Sequence, residues 1–478
     1  MNEYFWNMLD PEDRARLRRP WTVPELLDLC RDEFFDLPAV NTAEGSITYG
    51  ELLESVAKLR GTLDVLGIPK GAHVGLLMPN SARFIELFLA IASSGRVAVP
   101  MPAALAGDAL KGAWRMLGLE AVFYTGAPRG EELRLCDANA LPDAGPIPAA
   151  AVSKDEPCAI FFTGGTTGRP KGAVLSHGAM LTGAFNGAFS KGRAFEQRYY
   201  GLIPFSHVFG LIRNFLTCVL TGSSIYPCED MRNLFADLPK ARPTILVLVP
   251  ALAEMMLVVV SLRGLNALGG CVETIICGGA PVPPKLIRRY DALGIRVLPG
   301  YGLTETANLV SGNGDSLERP DSVGKPYAGQ ELRFVDGELW LRGENLMLGY
   351  HNNPEENARA FEDKWFRTGD LGHMDADGYL YITGRLKNIL VLANGEKLSP
   401  EVMEAELSEM PEIRECLVRL EEREILCVEA VPSPGTSPDK VREAVERWNQ
   451  NQPEFRKIRR VHVRDTDLPR TPSMKIAR

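Results

Sequence analysis

Nothing in the cysteines of this chain spells a disulfide framework or a metal centre. Nine of them are scattered over 478 residues, with no CxxC pair and no zinc-type spacing. Several, Cys158 and Cys277 among them, sit in apolar runs, which predicts buried free thiols in a reducing compartment. Surplus positive charge is lacking as well. The net charge of −8 excludes a general nucleic-acid-binding surface. The opening stretch, MNEYFWNMLDPEDRARLRRP, has no apolar core of the kind a signal peptide needs. No segment repeats at a period of about 20–50 residues, and none is of low complexity. One stretch, 245–262, is apolar enough to consider as a membrane span, but Pro250 and Glu254 interrupt it. It reads as a core strand feeding a buried helix. These absences together predict a soluble, cytoplasmic protein without a transmembrane segment.

What is present is a chain too long for one ordinary domain. A helix is expected over 51–66, a strand over 72–78, a helix over 82–94 and a strand over 97–100. Strand, helix, strand at this spacing is a βαβ unit, and it predicts an α/β fold whose sheets are covered by helices. Residues 126–157, rich in Ala, Pro, Gly and Asp, read as a loop. A helix over 179–189 and a strand over 200–204 follow. From Gly324 onward, short alternating segments at 331–335 and 338–342 predict a small β-subdomain.

A boundary is expected at Gly384-Arg-Leu-Lys-Asn388, dividing the chain into 1–384 and a small α+β module, 385–478. In the module, Ser399 is expected to cap a helix over 401–409, with Pro400 in its first turn. Strands are expected at 415–420, 424–430 and 460–464, and a second helix at 439–449.

Residues 163–172 read TGGTTGRPKG and follow the apolar run Cys158-Ala-Ile-Phe-Phe162. The glycines (Gly164, Gly165, Gly168, Gly172) let backbone N–H groups approach a ligand. Thr163, Thr166 and Thr167 add hydroxyls, and Lys171 adds a mobile cation. That combination suits a polyphosphate. It is not a Walker A loop, because Gly172 follows the lysine where Ser or Thr would be required.

This loop, in FFTGGTTGRPKGAVLSH, resembles the phosphate-binding signature of the adenylate-forming superfamily, whose members include acyl-CoA synthetases, carrier-loading adenylation domains and luciferases. Further clusters match in the family's order. Tyr301-Gly-Leu-Thr-Glu-Thr306 resembles the motif in which Tyr301 and Gly302 would border the adenine, Thr304 would meet phosphate and Glu305 would hold Mg²⁺. Gly279 and Ala280, in Cys277-Gly-Gly-Ala-Pro281, fall on the family's adenine turn. Trp365-Phe-Arg-Thr-Gly-Asp370 resembles its ribose motif, with Asp370 accepting from the diol and Arg385 adding a donor. His207, in Ile203-Pro-Phe-Ser-His-Val-Phe-Gly210, falls beside the acyl carboxylate. Leu468-Pro-Arg-Thr-Pro-Ser-Met-Lys475 resembles the motif of the catalytic lysine. Asn388 stands where many members carry Asp.

The resemblance implies a large N-terminal ATP- and carboxylate-binding domain and a small mobile C-terminal domain turning about a hinge at Lys387. It implies activation of a carboxylic acid, a fatty acid first, as acyl-AMP, then thioester formation with CoA. A free-standing acyl carrier protein stays open as the acceptor. The stretch 454–478, with eight Lys/Arg against three Asp/Glu, suits CoA phosphates or an acidic carrier. A catalytically inactive nucleotide-binding regulator is the third reading; the joint presence of Lys171, Glu305, Asp370 and Lys475 argues against it.

Overall fold

Helix Ala82–Ala92 has almost no polar face: Phe84, Ile85 and every residue from Leu87 to Ala92 are fully covered. A helix apolar all round is stable only between two apolar layers. One layer is helix Tyr49–Val65 with strands His73–Leu77 and Val97–Met101. On the other side, Phe84 meets Phe205 with ring centroids 5.4 Å apart, and Phe88 meets Phe215 at 6.1 Å. Ser81 starts the helix by accepting the Phe84 N–H at 3.1 Å, an N-cap of the usual kind.

The layers belong to two large sheets. The computed structural model describes residues 3–127, 133–163, 170–422, 424–470, 476 and 478. Within them, a seven-stranded sheet contains His73–Leu77 and Val97–Met101, paired in parallel as the βαβ reading requires. A nine-stranded sheet contains Arg198–Gly201, Ile245–Leu248, Thr274–Gly278 and Arg296–Tyr301, also parallel. One hydrophobic cluster runs through both. The expected β-subdomain is a five-stranded sheet built from Gln330–Val335, Glu338–Gly343, Phe361–Glu362, Trp365–Met374 and Leu380–Arg385.

The 245–262 stretch forms strand Ile245–Leu248 and helix Pro250–Arg263. No helix among the described residues is long and apolar enough to cross a membrane. The nine cysteines are free, and only Cys136 and Cys271 are not fully buried.

Three local readings need correction. The loop expected at 126–157 contributes an edge strand, Leu135–Asp137, recruited by parallel pairing with Leu119–Tyr124. The strand expected at 200–204 is Arg198–Gly201; the chain turns at Leu202, whose N–H bonds the Tyr200 carbonyl. Ser399 does precede helix Pro400–Ser408, but its hydroxyl donates to the Thr383 carbonyl at 2.5 Å instead of capping. A long-range acceptor outcompetes the local one.

Residues from Leu398 to Ile458 form a separate hydrophobic cluster under a three-stranded sheet, Ile413–Glu421, Ile425–Pro432 and Arg460–Val463. Lys285 of the large part reaches the end of helix Pro400–Ser408, donating to the carbonyls of Ser408 and, at 3.0 Å, Ile413. A cation is favoured there by the helix dipole. Arg288 pairs with Glu409 at 2.7 Å beside it.

Glu404, on the same helix, accepts the Val418 N–H at 2.7 Å and pairs with Arg478. Burial pushes its carboxyl up to about 7, against the pull of Arg478. Because the folded value lies above the unfolded one, this group's contribution to stability is fully present below about pH 4.5 and is lost as pH rises through about 7. Glu404→Gln, which keeps the acceptor, should therefore flatten the decline in melting temperature between pH 5 and pH 8. A wild-type decline unchanged in the variant would assign it to other groups.

Candidate active site

Strands Thr274–Gly278 and Arg296–Tyr301 run parallel with Gly278 opposite Gly300, so the segments that follow them emerge side by side. The carboxyl ends of parallel strands are where ligands bind in open α/β sheets. Gly279 takes φ +80°, a left-handed turn that favours glycine and carries the chain to Ala280. Gly302 is needed for a different reason, since a Cβ there would overlap the Asn308 carbonyl. Thr304–Thr306 then forms one tight helical turn. It ends on two consecutive left-handed residues, Ala307 (φ 46°) and Asn308 (φ 77°). Such conformations cost roughly 1–2 kcal/mol for a non-glycine residue and cluster where function over-determines the backbone. The constraint here is Asn345, whose buried side-chain amide donates to the carbonyls of Thr306 and Leu309, both at 3.0 Å.

Two further elements converge on this turn. From the β-subdomain comes Asp370, opposite Arg385 in the hairpin register and only 1 % exposed. Arg385 Nε pairs with its Oδ1 at 2.7 Å, and the Tyr301 hydroxyl donates to its Oδ2 at 2.6 Å. Burial, reinforced by the adjacent Asp370, pushes the Tyr301 phenol well above its ordinary range. The ring therefore stays neutral.

From the seven-stranded sheet comes Lys171, directly across the hairpin from Thr163. Its ammonium lies 5.1 Å from the ring centre of Tyr350 and forms an ion pair with Glu356. Tyr350 in turn donates its hydroxyl to Glu305 Oε1 at 2.8 Å. Burial first, and Glu305 second, push that phenol up, while the Lys171 contact pulls Glu356 below the usual carboxylate range. One tyrosine thus sits between Lys171 and the carboxylate of the 304–306 turn.

The donor set fits a nucleotide with Mg²⁺. Glu305 offers a hard carboxylate oxygen in a half-buried turn, and Mg²⁺ is commonly held by one or two carboxylates plus substrate phosphates. His207 is half-buried; its Nδ1 accepts the Phe209 N–H at 3.2 Å, which leaves the proton of the neutral ring on Nε2. A π-helix, Phe209–Leu216, begins two residues on, a feature common at functional sites. Phe209 leans towards Gly278.

The structure thus brings together Thr163, Lys171, Tyr301, Gly302, Thr304, Glu305, Asp370 and Arg385. Gly164, Gly165, Thr166, Thr167, Gly168 and Lys475 lie outside the described residues. Flanking Lys475, the Leu468 N–H bonds Glu415 at 3.2 Å, Arg470 pairs with Glu415, and Arg470 bridges to Ile476. Tyr350, Glu356 and Asn345 escaped the sequence reading. The run Gly349-Tyr350-His351 before Asn-Asn-Pro-Glu was the available signal, but its partners are set by strand pairing across the chain.

Tyr350→Phe removes the hydroxyl that orients Glu305, and Glu356→Gln removes the countercharge that holds Lys171. Both are expected to weaken Mg·ATP binding, by about tenfold for one charge-assisted hydrogen bond, with thermal stability largely kept. Titration calorimetry checks this. Unchanged affinity in both variants would remove these residues from the site.

Residues 31–351 match the AMP-binding enzyme family, and residues 387–478 match the AMP-binding enzyme C-terminal domain. A feruloyl-CoA synthase of Amycolatopsis sp is 30 % identical, over 80 % of this chain and 82 % of that protein. The long-chain-fatty-acid–CoA ligase FadD13 of Mycobacterium tuberculosis is 31 % identical, over 78 % and 80 %. Among solved structures, the anthranilate CoA ligase AuaEII in complex with anthranoyl-AMP superposes with a TM-score of 0.85. It is 22 % identical, over 97 % of this chain and 96 % of the other. The fold, the motifs in their order and this breadth of match place the chain in the AMP-binding enzyme family, as an AMP-forming acid–thiol ligase of the acyl-CoA synthetase type.

Proposed function

We propose that the protein joins a carboxylic acid to ATP as an acyl-adenylate and then passes the acyl group to CoA, with a fatty acid as the first candidate substrate. The observation that carries the reading is the convergence on one turn, Tyr301–Thr306, of the Asp370–Arg385 ion pair, suited to a ribose diol, and of Lys171, suited to phosphate and linked to Glu305 through Tyr350.

In the first step, Asp370 accepts from the ribose hydroxyls while Tyr301, Gly279 and Ala280 border the base. Thr163, Lys171 and Thr304, with the loop residues Gly164, Gly165, Thr166, Thr167 and Gly168, receive the phosphates. Glu305 would hold Mg²⁺, whose chemistry is to neutralise phosphate charge. His207 lies beside the acyl carboxylate. Attack of that carboxylate on the α-phosphorus gathers negative charge at one point and expels pyrophosphate. Lys475 offsets that charge, an effect realised mainly in the transition state. In the second step, the 385–478 module turns about Lys387 and the CoA thiol attacks the adenylate, releasing AMP. Lys387 sits in the short helical turn Leu386–Asn388, and Asn388 is tied to Glu401 at 2.5 Å.

Pyrophosphate release should require ATP, Mg²⁺ and an acid together, tested over aromatic and fatty acids with CoA or a holo-carrier protein as acceptor. Nucleotide binding without acyl-AMP for any acid would favour a regulator, and transfer to the carrier alone would replace CoA.

Lys475→Ala should slow adenylation by about 10²–10³ while leaving thioester formation from supplied acyl-AMP. Lys387→Pro, which fixes φ at the turn, should do the reverse. Equal loss of both half-reactions in each folded variant would refute the alternation.

A further inference from the structure

The outer face of the small three-stranded sheet gathers metal-ligand chemistry that its sequence spacing conceals. Arg419, Cys427 and Arg460 are cross-strand neighbours in the register of the sheet. Side chains two residues on share a face, so Glu421 and His462 stand beside Cys427. One ligand atom from each of Glu421, Cys427 and His462 lies within 4.8 Å of the other two. His462 Nε2 is 3.2 Å from Glu421 Oε1. A tetrahedral zinc with bonds near 2.1 Å to nitrogen and oxygen sets its ligands about 3.4 Å apart, so this pair needs almost no movement.

We propose that Glu421, Cys427 and His462 form a zinc-binding site on the small domain, with the fourth position taken by water. The donor set selects the metal: a thiolate and an imidazole favour Zn²⁺ over Mg²⁺ or Ca²⁺, which prefer oxygen. The neighbouring charges divide in a way that suits this. Arg460 approaches Glu421 through the other oxygen, Oε2, at 3.1 Å, and so can remain as the outer partner that orients the carboxylate. Arg419 is engaged mainly by Glu429 at 2.5 Å, lying 3.5 Å from Glu421, and Arg464 also pairs with Glu429. His462 is exposed and provides the entrance, whereas Cys427 is fully covered and forms the floor. Forming the zinc–sulfur bond expels the thiol proton to solvent, so affinity should rise with pH. All three ligands stand on paired strands, which hold a site more tightly than loops do.

The test uses the full chain after chelator treatment, with Zn²⁺ alone as the probe. Competition against a chromophoric zinc indicator is expected to show one equivalent withheld per chain, with affinity increasing from pH 6.5 to pH 8. His462→Ala, an exposed change, and Cys427→Ser should each weaken binding by at least about tenfold. Zinc should raise the melting temperature of the wild type but not of His462→Ala. Co²⁺ should give a thiolate-to-metal absorption band in the wild type that Cys427→Ser lacks. No zinc withheld by the wild type, or an equal amount withheld by a variant carrying both His462→Ala and Cys427→Ser, would overturn the proposal.

Discussion

A carboxylate 1 % exposed must find its countercharge within the protein, and the way Asp370 does so organises the candidate site. Its two oxygens are taken by Arg385 from its own hairpin and by Tyr301 from the nine-stranded sheet. The β-subdomain is thereby locked to the ends of the parallel strands. Losing the Arg385 contact would weaken the compensation of a buried charge, which costs far more than an exposed salt bridge contributes. Tyr301 stays a neutral donor to this carboxylate, because burial and the carboxylate itself drive its phenol up.

A second lock works through Tyr350. Its strand, Gly349–Tyr350, pairs antiparallel with Lys171–Ser176, while its hydroxyl holds Glu305 and the Glu305 carbonyl accepts the Met347 N–H at 2.8 Å. The 304–306 turn is therefore gripped by the seven-stranded sheet as well. Its two left-handed residues are tolerable because Asn345 satisfies the carbonyls they expose. Rigid support from three sheets is what a preorganised electrostatic site needs.

The residues legible in the sequence were those whose chemistry is local: glycines and threonines around one lysine, an aromatic with Thr and Glu in one turn, an Asp closing Trp365-Phe-Arg-Thr-Gly-Asp370. The alternation of strands and helices was legible for the same reason, since periodicity is a property of neighbours. Contacts made over long separations were not. Lys171 and Glu356 are 185 positions apart, and nothing in Asn-Asn-Pro-Glu-Glu356 says which lysine its last residue will face. Ser399 shows the same failure in miniature, its local capping pattern overridden by the Thr383 carbonyl. The Glu421, Cys427 and His462 group is hidden for a further reason, because ligands on adjacent strands acquire their spacing from register and not from the order of residues.

The two hydrophobic clusters are joined by the chain only once, between Arg385 and Leu390. Most paired domains created by an insertion share two crossings, and turning one half then winds the crossings around each other. A single crossing has no such limit. Neither core is threaded through the other, because the chain passes between them at one place. The small cluster meets the large part through surface contacts such as Lys285 with the end of helix Pro400–Ser408, so the two cores share a polar boundary and not a common interior.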